Sequence, residues 1–465
     1  MSRKVFLSFL GTNDYKECNY YLEGNPGQKV EKVKYIQEAL IRLFCQDFSS
    51  NDQVLLFLTE KAEQMNFRDN GQFNKRTQRF DLPNIGLNSR LQELKKEGFQ
   101  FQINHKRIKE GFSEEEVWSI FETVADEIQE GDQIIFDITH AFRFLPMLGV
   151  VLLNYLKVTK NISVKGIHYG AFEKLGTIQE VQAMDEDDRN APIIDLNMLL
   201  EFQSWASAVN SFVKFGSTKE LNEASQSKIK SRMAETKGSD LATKDLRYVI
   251  DQLSELTSDI QTNRLNFLLG RDFALFQKKI TSVQNTDIVV KPFKQILRLI
   301  ERKATPIITS SDLIWLESAK WCLEHKLIQQ AYTQLQEGLL TYCMIEFNKE
   351  IETNVNFQTV LAKYQITQMV SIIELKDRDF YKGLLNVIYQ KSQNKVKWNT
   401  EYYLVELAGI FQDTRFEKLG TVFAHITESR NDINHAGLRK NPMKAEALQK
   451  RIGELISQVE TLLKS

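Results

Sequence analysis

At 465 residues the chain is long enough for two or more domains, each with its own core. Its 42% hydrophobic and 26% charged residues are those of an ordinary globular protein. A formal net charge of −1 excludes a global basic field of the kind that draws nucleic acid non-specifically, although it leaves room for a local basic groove or a small anion site.

The first apolar run, Lys4–Leu10, is too short for a signal peptide core. It stops at the polar stretch Gly11–Tyr15, so it is expected to be a first β-strand. A short strand at Glu17–Leu22 and a turn through Glu23–Gly27 follow. Val30, Val33, Ile36, Ala39, Leu40 and Leu43 then recur at helical spacing, which predicts a helix over Gln28–Phe44. Val54–Leu58 is continuously apolar, as in a strand buried on both faces. A helix at Ile85–Glu97 and a strand at Phe99–Ile103 come next. Ser113 with Glu116 three residues on reads as a capping box opening a helix that runs to about Glu130. Strands at Gln133–Ile138 and Ile162–Tyr169 flank a helix at Phe144–Val158, read as buried because Pro146 and Asn154 make it unsuited to a bilayer. A last strand is expected at Thr177–Met184.

This alternation argues for a doubly wound α/β sheet over residues 1–190, where ligands bind beyond the C-terminal ends of the strands. The acidic stretch Asp185–Pro192 reads as a linker. Beyond it helical periodicity dominates, from the apolar face Phe202, Trp205, Ala206, Val209, Phe212 and Val213 to the final helix at Lys444–Leu463. The fold class is therefore α/β plus all-α, with residues 191–465 forming the helical part.

Cys18, Cys45, Cys322 and Cys343 form no CxxC pair and no zinc-like cluster with His, which fits reduced thiols in a cytoplasmic protein. No P-loop, HExxH, GxSxG or EF-hand pattern is present, and no metal site is expected. Two stretches carry chemistry. Asp137–Arg143 follows a strand and precedes a helix, so Thr139, His140 and Arg143 are placed for an anionic ligand, and Gly11, Thr12 and Asn13 occupy the corresponding end of the first strand. Near the C-terminus Arg430 is followed by Asn431 and, after four intervening residues, by His435. Arg offers a permanently charged donor fork to phosphate, and His exchanges protons near neutrality; attack of a 2′-hydroxyl on the adjacent phosphate needs both. On a regular helix the two positions differ by about 140°. Convergence therefore needs a helix end, which Ala436 and Gly437 suggest. One Arg and one His form a small catalytic set, and a two-fold dimer would bring two copies together.

The chain resembles the CRISPR-associated CARF–HEPN ribonucleases, the ancillary nucleases of type III CRISPR systems. The resemblance rests on the opening strand with Phe9–Thr12, the Asp137–Arg143 loop, Ala191–Leu196 with Trp205, Ala319–Gln330, and the Arg430–His435 motif. The family loop reads D-x-T-H-G-x-R; here Ala141 replaces the glycine. The resemblance implies an N-terminal Rossmann-like CARF domain that binds cyclic oligoadenylate as an allosteric activator. It also implies a C-terminal HEPN domain that pairs in a homodimer or higher homo-oligomer to cleave single-stranded RNA without a metal or cofactor, in antiviral defence and away from membranes. Arg430, Asn431 and His435 are then the catalytic residues; Gly11, Thr12, Asn13, Thr139, His140 and Arg143 are the ligand-binding ones. The alternative is a non-catalytic nucleotide-sensing module with a helical effector domain.

Overall fold

The computed structural model describes residues 2–69, 71–74, 79–83, 85–139, 144–285, 291–310, 312–366, 375–412, 414–438 and 440–464. These divide into two compact units, Met1–Glu201 and Phe202–Ser465.

Unit one is built on an eight-stranded sheet. Its strands are β1 (Lys4–Leu10), β2 (Cys18–Leu22), β3 (Asn25–Val33), β4 (Gln53–Leu58), β7 (Gln102–Arg107), β8 (Gln133–Asp137), β9 (Ser163–Gly170) and β10 (Asn190–Asp195); β5 (Gly71–Asn74) and β6 (Arg79–Pro83) form a separate hairpin. The order is β3-β2-β10-β9-β8-β1-β4-β7, and β7, β4, β1, β8 and β9 run parallel. Alternation along β1 builds both cores. Val5, Leu7 and Phe9 join Ile120, Val124, Leu152, Leu153 and Leu156 on one face, while Phe6 and Leu10 join Ile36, Leu40, Leu87 and Leu91 on the other. Helices Ile36–Phe44 and Leu87–Lys96 thus cover one face, and Glu114–Glu127 and Leu145–Thr159 the other. After the β2–β3 hairpin at the far edge, the chain returns to lay β4 and then β7 outward on one side of β1, and β8 follows on the opposite side of β1. The strand order therefore reverses between β1 and β8, where open α/β sheets bind ligands.

Four expectations are corrected. The helix expected over Gln28–Phe44 begins only at Ile36; Asn25–Val33 is strand β3, paired antiparallel with β2. Val30 faces Tyr20 and Val33 faces Cys18, so three residues span what two span on β2, and Lys32 takes up the excess at φ +52°. That bulge spaces the core-facing valines, partly buried Val30 and buried Val33, by three and so imitates a helical period.

Thr177–Met184 is not a strand. Thr177 and Glu180 form a complete capping box that opens the helix Ile178–Ala183. The last strand is instead β10, which begins inside the stretch read as a linker and runs three residues beyond it. The acidic residues preceding it make a tight turn whose carbonyls, at Glu186 and Asp187, accept from the Asn19 amide at 3.1 and 3.3 Å. Pro192 costs the sheet no bond toward β9, because that pairing starts only at Ile193.

The strand expected at Phe99–Ile103 lies at Gln102–Arg107. It is the sheet edge, where the polar His105 and the charged Lys106 and Arg107 replace an apolar signal. Helix Leu145–Thr159 is buried on one side only, with Met147 73% and Val158 87% exposed.

Ser113 does cap its helix, accepting the Glu116 N–H at 3.2 Å, while the Glu116 carboxylate turns back to the Gly111 and Phe112 amides. Among the described residues no helix is long and apolar enough to cross a membrane. All four cysteines are buried free thiols.

Unit two is helical. Four of its helices frame the C-terminal motif: Ile314–Glu324, Ile328–Thr353, Leu375–Ser392 and Arg415–Asn434. One apolar core joins them, with Trp315, Tyr332, Phe347, Tyr381, Phe411 and Phe423 fully buried. The polar stretch after Gly216 is the helix Lys219–Glu235.

Candidate functional site

The sequence candidates fall in two places, one in each unit. In unit one a cavity of about 310 Å³ opens at the C-terminal ends of β1, β8 and β9. Asn13 and Thr139 line it, together with Lys16, Lys34, Tyr20, Gly170 and Thr177. Gly11 and Thr12 are half-buried in the same loop but do not line the cavity. His140 and Arg143 lie outside the described residues. The Asn66 amide donates to the Gly11 and Asn13 carbonyls at 2.9 and 3.0 Å, and the Gly11 N–H donates to the Tyr15 hydroxyl oxygen at 3.1 Å. These bonds hold the β1 exit loop against the sheet. Lys16 and Lys34 were not anticipated, since nothing local in the sequence separates them from solvent lysines. Burial lowers the Lys34 ammonium from its ordinary value, opposed by the Asp14 carboxylate.

The β8 exit is anchored from below. Asp137, 1% exposed, accepts the Thr139 N–H at 2.9 Å and the Ser8 hydroxyl at 2.7 Å. Gln37 donates to the Ser8 oxygen at 3.0 Å, and the Thr139 hydroxyl accepts the Gly170 N–H at 2.9 Å. The loops leaving β1, β8 and β9 are therefore joined by a buried polar network. Burial is the dominant influence on Asp137 and raises its carboxyl above the usual carboxylate range, against the hydrogen bonds from Thr139 and Ser8. A carboxyl with a raised folded value holds its proton better when folded. Its stabilising contribution is complete below the ordinary range and is lost as pH rises through the folded value. Asp137→Asn keeps an acceptor for Thr139 and cannot ionise. Denaturant midpoints should show the variant gaining on the parent as pH rises above about 4; a difference constant from pH 4 to 8 would refute this role.

His168, near the end of β9, is a packed residue. It is 4% exposed and stacks on Phe44 with ring centroids 4.0 Å apart.

In unit two, helix Arg415–Asn434 ends where the motif requires. His435 leaves helical geometry at φ −91° and ψ 15°. The Ala436 N–H donates to the Ile433 carbonyl at 2.9 Å and the Gly437 N–H to the Asp432 carbonyl at 3.0 Å. With Ala436 and Gly437 at φ +51° and +71°, this is a Schellman close. Buried Asp432 accepts the Met443 N–H at 2.8 Å and fixes the exiting chain. Arg430 thus sits on the last regular turn with His435 on the cap; both His435 and Asn431 are exposed.

Arg430 is half-buried and held from the helix Ile328–Thr353. Its Nη1 donates to Gln336 Oε1 at 2.5 Å and to Glu337 Oε1 at 3.0 Å. The Gln336 amide is itself oriented by donating to the Thr427 hydroxyl at 2.6 Å. Glu337 precedes Arg430 by 93 residues, so no local pattern announces the pair. A fixed guanidinium can stabilise phosphate charge, and an exposed imidazole can relay a proton.

Residues 5–173 match the family model described as the CARF domain of the CRISPR system endoribonuclease Csx1. The CRISPR-associated protein MJ1674 of Methanocaldococcus jannaschii is 30% identical over 340 residues, covering 72% of this chain and 42% of the relative. The chain thus spans under half the length of that curated relative. Csm6 of Enterococcus italicus, solved bound to cyclic hexa-2′-fluoro-hexa-dAMP, aligns over 99% of this chain and 94% of its own at 12% identity and a TM-score of 0.42.

Proposed function

We propose, from the premise that residues 5–173 form a CARF domain of the Csx1 type, that the chain is a cyclic-oligoadenylate-activated, metal-independent endoribonuclease of type III CRISPR defence. The observation that carries the reading is the placement of Arg430 and His435 at a closed helix end, the guanidinium fixed by Gln336 and Glu337 and the imidazole open to solvent. The helical unit acts as a HEPN ribonuclease domain. Arg430 takes the charge of the scissile phosphate of a single-stranded RNA. His435 manages the proton of the 2′-hydroxyl or the leaving 5′-oxygen, and Asn431 offers a polar contact beside the Arg. Two copies in a homodimer supply two histidines, one from each chain, to the composite centre.

The messenger occupies the switch-point cavity, where Asn13, Thr139, Lys16 and Lys34 meet its phosphates and bases. Gly11 and Thr12 shape the first loop, and His140 and Arg143 complete the second. A cyclic oligoadenylate has rotational symmetry, which suits identical loops paired about a two-fold axis. Activation requires that the messenger bind the cleavage-competent arrangement more tightly than the resting one; equal affinity for both would shift nothing.

The test is cleavage of a fluorescent single-stranded RNA in EDTA, with and without cyclic tetra- or hexa-adenylate. Messenger-dependent cleavage is expected, and no cleavage under any ring size would remove the reading. Arg143→Ala should weaken messenger binding by about one charge-assisted contact, on the order of tenfold or more. Unchanged affinity in a titration would take that loop out of the site.

A further inference from the structure

Positive charge is unevenly placed along the chain. Residues 264–303 hold nine Lys and Arg against three Asp and Glu, a net of +6 in a chain whose formal net charge is −1. The helix Lys291–Ile308 carries the densest part. Ile296, Leu297, Ile300, Ala304 and Ile307 are buried in the helical core. Lys294, Arg298 and Arg302 fall on the opposite face, each four residues and about 40° from the next. Lys294 is half-buried, and Arg298 and Arg302 are exposed. Like charges four apart on a helix repel one another. Several exposed basic residues of this unit are instead matched on their own helix, as Arg247 is by Asp251, Lys349 by Glu346 and Lys464 by Glu460. Among the described residues none of Lys294, Arg298 and Arg302 makes an ion pair. Glu301, the acid three residues past Arg298, accepts the Gln284 amide at 2.8 Å. Lys303, by contrast, is structural: it pairs with Glu324 and lies over the Trp321 ring at 5.1 Å.

We propose that the outer face of helix Lys291–Ile308, carrying Lys294, Arg298 and Arg302, docks the phosphate backbone of single-stranded RNA outside the cleavage centre. The proposal rests on the ribonuclease reading for its ligand. Four residues of helix advance about 6 Å, which matches the step between successive phosphates of an extended single strand. A row of three cations at that step meets three phosphates of one strand. A membrane surface fits poorly, because the apolar face that would enter the lipid is already buried in the core. Lys303 ties the helix to Ile314–Glu324, which packs at Gly338 against the helix that bears Gln336 and Glu337. The basic face and Arg430 therefore belong to one packed unit, with two helices between them. The face touches no reacting atom. It holds the part of the strand that flanks the cleaved bond and so contributes affinity, more for long RNA than for short.

The test measures binding of a long labelled single-stranded RNA by anisotropy across a salt series, with cyclic oligoadenylate present, in the full-length protein carrying His435→Ala so that the RNA stays intact. Adding Lys294→Gln, Arg298→Gln and Arg302→Gln together should weaken binding on the order of tenfold or more. It should also flatten the dependence of log K on log salt by about 2, at about 0.7 for each lost phosphate contact. Arg298→Lys with Arg302→Lys should keep the slope, because the charges remain. With His435 intact, the triple variant should lose kcat/KM on the long RNA through KM, by a factor like that lost in binding, and much less on a tetranucleotide. Unchanged affinity and slope on the long RNA would overturn the proposal. Equal losses on both RNAs would place the effect in the cleavage centre and overturn it too. If the parent cleaves no RNA yet the triple variant loses the slope, the ribonuclease reading fails and the docking face stands. A parent that binds no RNA would overturn the proposal.

Discussion

Replacing His435 with alanine should abolish RNA cleavage while leaving folding and messenger binding intact. His435 lies past the last helical residue with its ring exposed, and the cap is closed by backbone bonds from Ala436 and Gly437. Truncating the ring therefore removes no packed contact and leaves no buried group unsatisfied. A positioned acid or base contributes about 10²–10⁴-fold to rate. Where two histidines serve one composite centre, a single substitution in the chain removes both. Turnover at the parent rate, measured with saturating messenger, would remove His435 from the chemistry. Messenger affinity should be equal in parent and variant, since the ligand cavity belongs to the other unit.

Gly338→Ala should damage fold and site together. Helices Ile314–Glu324 and Ile328–Thr353 approach so closely that a Cβ on Gly338 would sit 2.5 Å from three atoms of Trp315, two in its indole and one its own Cβ. Trp315 is 2% exposed and central to the helical core, so the indole has nowhere to go. Overpacking of this kind costs about 1–3 kcal/mol. The strain falls one residue beyond Glu337 and two beyond Gln336, the residues that hold Arg430. A helix pushed outward carries both acceptors with it. The variant should show a lower thermal midpoint and, below that midpoint, a loss of RNA cleavage larger than its folded fraction explains. An unchanged midpoint would mean that the helix pair relaxes freely. A lowered midpoint with full activity in the folded fraction would mean that the Arg430 cradle tolerates the shift.

All but one of the differences between sequence and fold share one cause. Period and propensity are local, and those differences occur where a distant partner decides the outcome. Val30 and Val33 have helical spacing because Lys32 bulges from a ladder with β2, a strand whose own residues give no hint of the bulge. Asn190–Asp195 follows an acidic run and carries the proline of a connection, yet it pairs with both β2 and β9. Gln102–Arg107 lacks apolar alternation because edge strands are protected by charge. Thr177–Met184 is the exception. Its capping box was legible in Thr177 and Glu180, and a strand was expected there despite it.

By itself the sequence determined the alternating strands and helices of the first unit, the helical second unit, and the ends of the decisive elements. Apolar runs stop at Leu10 and Ile138 where polar loops begin, and helix Arg415–Asn434 stops where Ala436 and Gly437 close it. These features follow from neighbours a few residues apart, through hydrophobic period, capping and turn chemistry. The tertiary structure decided what those ends face. It joined the β1, β8 and β9 exits through Ser8, Asp137 and Thr139, and added Lys16 and Lys34 to one cavity. It also set Glu337 between Arg430 and Arg378. Hydrogen bonds and ion pairs act over about 3–4 Å of space whatever their separation along the chain. For that reason the charges that tune both sites became visible only when the chain was folded.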